Sequence, residues 1–286
     1  MNIQVPDFCE TFPTFYSRID SLVNCCDYKE IYHEQNFKLM YKCQVEFMRE
    51  FEQEFIKFKK ERNYLKKQYF GCFCGHSISV FYFVKNHKDL KSLPLQIQNV
   101  LLWAALFHDI SKRNYPTFPN IRKDFIHPFT SAATTLNILL RYVNSNSEII
   151  EKTKILSEFI NKSYYIVYDN VLDENIEFPI NNNIPEILKQ LEEIFLKDSD
   201  IYLVVKLILL HQALPMIDIF PPTMSLSNDE IRNYFDFNLV KIMKILMESD
   251  SLAYNIGDEN FSNKLLAHFQ MGYKNVIEIL NHANNT

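Results

Sequence analysis

Glycine is scarce in this sequence: only 4 of the 286 residues are glycine, and only 11 are proline. These two residue types mark most turns and interrupt helices, and long periodic stretches separate the few that are present. We therefore predict a mostly helical protein. The composition, 47% hydrophobic and 14% aromatic, argues against a disordered chain and suits one large globular domain, or a domain with an extension.

The sequence also lacks blocks of like charge, a basic tail and long apolar runs. Its net charge is −5, so nothing favours binding to nucleic acid or to an acidic membrane surface. The strongest uninterrupted apolar run, 100–107, is far shorter than the ~20 residues that a membrane span requires. The first residues contain acids and prolines, where a signal peptide has a basic and then an apolar run. We expect a cytoplasmic protein, with its six cysteines reduced.

Apolar periodicity indicates where the helices lie. Apolar residues recur at helical spacing from about residue 28 to residue 68, which predicts one long amphipathic helix or two in series. A stretch of about 95–110 is apolar on all sides and should lie at the centre of the fold. Ser227 and Glu230 have the spacing of a capping box, and the helix that they start is predicted to run through "LVKIMKILMESDSLAY". Two runs of high strand propensity around Asp169–Asn170 predict a small β-hairpin.

Six ionisable residues lie on or beside predicted apolar helices. They are His76, His108, Asp109, His127, His211 and Asp250. A lone histidine on an apolar face is usually a satisfied core residue, and either aspartate could be an ordinary helix-end acid. Six such placements in one domain favour a shared cause, because buried carboxylates are costly unless they are paired or bind a metal. Imidazoles and carboxylates on converging helices form a ligand set for a divalent transition metal.

The adjacency of His108 and Asp109 narrows the possible geometry. Neighbours on a helix point about 100° apart, so both can reach one ion only near a helix end. A carboxylate can bind one metal with each oxygen, which makes Asp109 the natural bridge between two ions. Lys112 lies one turn later, where a cation can hold a phosphate oxygen but cannot bind a metal.

Positive charge accumulates directly after this pair. Between Ile110 and Ile126 the sequence has four basic residues and one acid, Asp124. The basic residues are Lys112, Arg113, Arg122 and Lys123. In an acidic protein, such a surplus beside a metal site favours an anionic substrate, and we predict that these four residues bind it.

Several motifs resemble those of a known family. "GHS" at 75–77, "HDISK" at 108–112 and "ESDSLA" at 248–253 resemble, in order, the signatures of the HD-domain superfamily of metal-dependent phosphohydrolases. The resemblance implies that His76, His108, Asp109 and Asp250 bind one metal. "HPFTSA" at 127–132 and "LLHQA" at 209–213 are similar to the extra histidine motifs of the two-metal subgroup. On that basis His127 and His211 would bind a second ion together with Asp109.

The resemblance covers roughly 70–260 and implies an all-α helical bundle. We accordingly divide the chain into an N-terminal helical extension, 1–69, and an HD domain, 70–286. The distance between the two extra histidines makes about 143–198 an insertion, which would hold the hairpin.

The implied activity is that of a phosphohydrolase or phosphodiesterase acting on a small anionic phosphate ester, such as a nucleotide. One or two divalent ions would activate water, and Mn, Fe, Mg, Zn, Ni and Co are not distinguished. Asp109 and Lys112 would be the catalytic residues. Two alternatives remain open: a di-iron oxygenase of the same superfamily, and a metal-binding regulatory module without catalysis. A purely structural helical protein would leave the six polar residues without a shared cause, and no oligomeric state is predicted.

Overall fold

The described part of the chain is mostly helical, which confirms the predicted all-α class. The structure, a computed structural model, describes residues 4–21, 42–43, 46, 49–51, 73–112, 124–143, 145–170, 174–213, 226–253 and 259–283. The helices predicted at about 28–68 lie largely outside these ranges.

In chain order the helices are α1 (Phe8–Thr11), α2 (Pro13–Asp20), α3 (Phe73–Lys85), α4 (Leu95–Phe107), α5 (His127–Leu139), α6 (Ser147–Asn161), α7 (Ile184–Phe195), α8 (Asp200–Leu210), α9 (Asn228–Tyr234), α10 (Phe237–Ala253) and α11 (Glu259–Ala283). The strands are β1 (Tyr164–Asp169) and β2 (Glu174–Pro179), and short 3-10 turns cover Leu90–Ser92 and Asn181–Asn183.

Helix α4 lies at the centre of the fold from Val100 onward, as the predicted apolar surface indicates, whereas residues 95–99 of its first turn are exposed or partly buried. Every residue from Val100 to Phe107 is buried. Helices α3, α8 and α10 pack against it, while α3 also packs on α10 and α8 on α5. Because these five helices pack on one another, polar side chains at their ends can meet inside an apolar core.

The N-terminal segment is tied to this central helix. The backbone N–H of Phe8 donates to Asn99 Oδ1 at 2.9 Å, and the Trp103 indole N–H donates to the Pro6 carbonyl at 3.0 Å. The Phe8 ring is fully buried, 4.8 Å from the Phe81 ring and 5.3 Å from that of Trp103, measured between centroids. The first residues of the chain therefore complete the same core as α4.

The segment 143–198 contains the predicted hairpin. Strands β1 and β2 pair antiparallel, with Tyr164 opposite Pro179 and Asp169 opposite Glu174. Two helices flank the hairpin: α6 precedes it and packs on α5, and α7 follows it and packs on α6.

The prediction of a single helix from about 228 through "LVKIMKILMESDSLAY" is wrong, because the structure has two helices there, α9 and α10. Its predicted start is confirmed: Ser227 and Glu230 form a capping box. Phe235 then takes an extended conformation. Asp236 restarts the helix, since its Oδ1 accepts the Leu239 N–H at 2.7 Å and its carbonyl accepts that of Val240 at 2.9 Å. An aspartate in this position competes with continuation of the first helix by capping a second one.

Helix α11 has 25 residues and is amphipathic. It packs against α10, and among its described side chains it buries Leu265, Phe269, Val276 and Leu280. Across the residues that the structure describes, no helix has both the length and the apolar character needed to cross a bilayer.

We expect the substitution Phe8→Ala to destabilise the whole helical core. Removal of a fully buried phenylalanine side chain costs about 3–5 kcal/mol, and urea denaturation followed by circular dichroism measures that loss. Phe237→Ala is the matched control, because its side chain is 43% exposed, and we expect it to cost about 1 kcal/mol or less. A midpoint unchanged by Phe8→Ala would show that the N-terminal segment is not part of the cooperative unit.

Candidate metal centre

The six ionisable residues singled out in the sequence come together at the ends of packed helices. His76 lies in the first turns of α3 and Asp250 near the end of α10. His108 and His211 directly follow α4 and α8, and His127 is the first residue of α5. Five of the six residues are buried, and the Asp250 side chain is only 13% exposed.

Four of these residues form a first cluster, which consists of His76, His108, Asp109 and Asp250. The Nε2 atom of His76 lies 2.8 Å from Asp250 Oδ1 and 3.5 Å from Asp109 Oδ2. The Nε2 atom of His108 lies 3.5 Å from Asp250 Oδ1 and 3.6 Å from Asp109 Oδ2. Two imidazole nitrogens and two carboxylate oxygens thus face one another.

The second cluster consists of Asp109, His127 and His211. Here the other oxygen of Asp109, Oδ1, lies 3.1 Å from His127 Nε2 and 3.7 Å from His211 Nε2. The two Nε2 atoms are 3.2 Å apart. Asp109 therefore directs one oxygen to each cluster, which is the arrangement of a bridging carboxylate.

Backbone carbonyls fix the orientation of three of the imidazole rings. In His108, His127 and His211, Nδ1 bonds to the carbonyl of the residue three positions earlier, at 2.9 Å in His108 and 2.7 Å in His211. A carbonyl only accepts, so Nδ1 carries the proton and Nε2 of each neutral ring is unprotonated. Metal-binding histidines are commonly oriented by a hydrogen bond of this kind.

The lone pairs of the unprotonated Nε2 atoms face one another, and a cation between them would remove the repulsion. The facing Nε2 atoms of His127 and His211 repel one another unless a proton or a metal ion lies between them. Within the described part of the chain, His108 Nε2 and Asp109 Oδ1 are buried without a hydrogen-bond partner. Buried polar atoms without partners are costly, so both clusters favour an added cation.

The spacing of the facing atoms suits a transition metal. Ligand atoms about 2.0–2.2 Å from one ion lie about 2.8–3.6 Å apart in octahedral or tetrahedral coordination. The four contacts in the first cluster span 2.8–3.6 Å, and the three in the second cluster span 3.1–3.7 Å. The donor set also agrees, because imidazole and carboxylate suit Zn, Fe, Mn, Ni and Co.

The chain matches no protein-family model, no curated protein and no solved structure. The case for a metal site therefore rests on the chain's own geometry: buried histidines and aspartates in two groups, close enough to hold an ion each, with Asp109 in both.

The two carboxylates of the centre are ionised. Burial opposes the charge of Asp109, but Lys112 and the imidazoles of His108 and His127 outweigh it and hold the pKa of Asp109 well below its usual range. Burial likewise opposes the charge of Asp250, and contacts with His108 and His76 lower its pKa nonetheless. Two buried negative charges in an apolar core strongly favour a cation.

The pKa values of His211 and His108 shift in opposite directions. Burial, together with the nearby imidazoles of His127 and His108, lowers the pKa of His211 to about 3. His211 is therefore neutral near pH 7, as a metal ligand must be. Burial also disfavours the charged form of His108, but Asp109 and Asp250 outweigh it and raise the pKa of His108.

Lys112 lies beside the first cluster. Its Nζ atom is 2.6 Å from Asp109 Oδ2, and its side chain is 20% exposed. The structure thus places Lys112 one turn past the ligand pair, where its ammonium contacts a carboxylate oxygen. Its role toward substrate stays a prediction. The other three predicted substrate-binding residues, Arg113, Arg122 and Lys123, lie outside the described residues.

Gln212 also belongs to the centre, although the sequence reasoning did not single it out. Its side-chain amide donates to His127 Nε2 at 2.9 Å, which agrees with an unprotonated nitrogen there. Little in the sequence distinguishes Gln212, because a glutamine directly after His211 belongs to no recognisable motif.

We expect the purified protein to bind about two Mn²⁺ ions per chain, and His127→Ala and His211→Ala to bind about one each. Each substitution removes one of three ligands from the second cluster and leaves the first intact. Equilibrium dialysis followed by elemental analysis measures the stoichiometry. His268→Ala is the control, because this partly buried histidine of α11 belongs to neither cluster. A single ion in the wild type and in every variant would contradict a second site.

Proposed function

We propose that this protein is a metal-dependent phosphohydrolase of the HD type, acting on the phosphate ester of a nucleotide or a related small molecule. The observation that carries the proposal is the position of Asp109, whose two oxygens face two groups of imidazoles. Residues matching the HD motifs are the ones that meet at this point. Two ions held by a shared carboxylate suit the clamping of both the attacking and the leaving oxygens of a phosphoryl transfer.

The protein's own residues would hold the ions and set their charge. His76, His108 and Asp250 would complete the first site, and His127 and His211 the second, with Asp109 shared. The carbonyl contacts of three rings already aim each Nε2 at the cluster, so only the Gln212 amide and the Lys112 ammonium would have to shift to admit an ion. A divalent ion bound there supplies a Lewis acid and a water nucleophile whose pKa is lowered to about 7.

Lys112 would act on the substrate. Its ammonium contacts Asp109 Oδ2, and its side chain is 20% exposed. We expect a substrate to approach the centre on this side. A phosphoryl oxygen is a comparable anionic acceptor, and a charge-assisted hydrogen bond to it strengthens as negative charge develops. Once Asp109 shares its charge with metal ions, the ammonium is drawn to the substrate instead.

The same donors suit a second chemistry. Four imidazoles and two carboxylates, one of them bridging, also form a ligand set for two irons that activate dioxygen. Iron content and oxygen uptake separate the two functions. A protein purified with two irons that consumes oxygen with an organic substrate, and releases no phosphate from esters, would be an oxygenase. Metal binding without either activity would indicate a regulatory module.

We expect Lys112→Ala to keep its metal and lose turnover. Removal of the ammonium frees Asp109 Oδ2, so metal content should stay at the wild-type level. The kcat/KM for phosphate ester hydrolysis should fall roughly ten- to thousandfold, because one charge-assisted contact to the reacting phosphate is lost. Phosphate release and elemental analysis, measured on the same preparation, test both halves of this expectation.

Two further variants delimit that result. Asp109→Ala should lose metal as well as activity, because both clusters share this carboxylate. Lys152→Ala should behave as wild type, since the Lys152 side chain is exposed on the solvent face of α6 and pairs with Glu148. Loss of metal in Lys112→Ala, or unchanged turnover, would overturn the substrate role of Lys112.

A further inference from the structure

Among the described residues, the second cluster offers a metal ion one ligand fewer than the first. The first cluster presents two imidazole nitrogens and two carboxylate oxygens. The second presents the Nε2 atoms of His127 and His211 and a single oxygen of Asp109. An ion such as Mn²⁺ takes about six ligands and accepts carbonyl and carboxylate oxygens readily. The second site therefore has room for a further oxygen ligand.

The side-chain amide of Gln212 already lies at this cluster. Its Nε2 atom is 2.9 Å from His127 Nε2. The other two ligand atoms of the cluster are no closer to that nitrogen: His211 Nε2 lies at 3.2 Å and Asp109 Oδ1 at 3.1 Å. All three separations fall within the range of about 2.8–3.6 Å for two ligands of one ion. The amide thus occupies a ligand position of the second site.

The backbone holds Gln212 in this place. The residue directly follows His211, and the Ala213 N–H donates to the Leu210 carbonyl at 2.9 Å, which closes a turn around both side chains. His127 is the first residue of α5, and α5 packs on α8. The amide therefore bridges from the end of α8 to the start of α5, as the metal ligands of the second cluster do.

The lone pair of His127 determines which way the amide faces. An unprotonated Nε2 accepts an N–H and repels a carbonyl oxygen, so the Gln212 nitrogen is turned toward it. A cation on the same lone pair reverses this preference, because it repels the N–H group and attracts the oxygen. Rotation about the last bond of a glutamine side chain is soft, and a half-turn exchanges the nitrogen and oxygen positions.

We propose that Gln212 is the fourth protein ligand of the second ion, which its side-chain oxygen Oε1 binds after a half-turn of the amide. The second site then consists of two imidazole nitrogens, one carboxylate oxygen and one amide oxygen. Such a donor set suits a divalent ion that accepts oxygen ligands, such as Mn²⁺, and leaves two positions of an octahedral ion open. The inference rests on the second metal site of the proposed function, but not on the reaction catalysed there.

Two substitutions of Gln212 test this role by Mn²⁺ binding alone. Metal-free protein is dialysed against a series of free Mn²⁺ concentrations, and bound metal is measured by elemental analysis. Gln212→Ala should raise the Kd of the second ion about tenfold or more, since even residues that only orient a ligand contribute that much. Gln212→Glu should lower this Kd below the wild-type value, because an anionic oxygen replaces a neutral one. The Kd of the first ion should stay within about twofold in both variants.

The glutamate variant separates a ligand from a hydrogen-bond donor. If the amide instead donated its N–H to a bound water or phosphate, a glutamate could not replace it, and both variants would weaken the second site. That result would overturn the proposal, as would a second-ion Kd unchanged by Gln212→Ala. Thermal denaturation followed by circular dichroism checks that both variants are folded.

Gln190→Ala is the matched control. Gln190 is an exposed glutamine of α7, and its amide nitrogen donates to Glu186 Oε1 at 2.7 Å. Its removal should leave both Mn²⁺ affinities unchanged. His127→Ala identifies the second binding step, because it removes a ligand of that site only.

The ligand role and the proposed function fail separately. If the Gln212 variants change Mn²⁺ affinity as expected but the wild type hydrolyses no phosphate ester, the ligand role stands and the hydrolase function is wrong for those esters. If the wild type hydrolyses phosphate esters while holding a single Mn²⁺, the hydrolase function stands and the ligand role of Gln212 is wrong.

Discussion

The buried carboxylate of Asp109 is the constraint on which the rest of the centre depends. An ionised carboxylate inside an apolar core costs several kcal/mol unless compensating charge surrounds it. Lys112 covers one oxygen, and imidazoles from four different helix positions face both. The helices that supply these groups must approach within side-chain reach, so the packing of the bundle and the charge of Asp109 are coupled. Replacement of this one residue would therefore disturb both the site and the bundle around it.

Helix ends are what allow such polar groups to be buried. His108 and His211 each follow an apolar helix at the point where the backbone leaves the regular hydrogen-bond pattern, and their Nδ1 atoms pair with carbonyls in that last turn. One interaction thus satisfies the carbonyl, fixes the tautomer and aims Nε2 at Asp109. The apolar surfaces of α4 and α8 bring the two ends together, so that hydrophobic packing positions polar groups.

Local patterns in the sequence predicted the parts of this structure that depend on neighbours in the chain. Helix α4, the hairpin and the capping box at Ser227 follow from periodicity, strand propensity and spacing. The six polar residues were found because their type conflicts with their apolar surroundings. The break at Asp236 was missed because a strong apolar period hid a competing cap. The contact of Gln212 with His127 arises only in three dimensions, and no local pattern encodes it.

The attachment of the first residues has a consequence for how the chain is made. The backbone N–H of Val5 donates to Asp200 Oδ2, which is 195 positions later in the chain. During translation Val5 leaves the ribosome long before Asp200 is synthesised, so this bond cannot form on the nascent chain until Asp200 has emerged. Contacts of such long sequence separation close slowly. The Phe8 ring can be buried sooner, because Phe81 and Trp103, which it contacts, are synthesised well before Asp200.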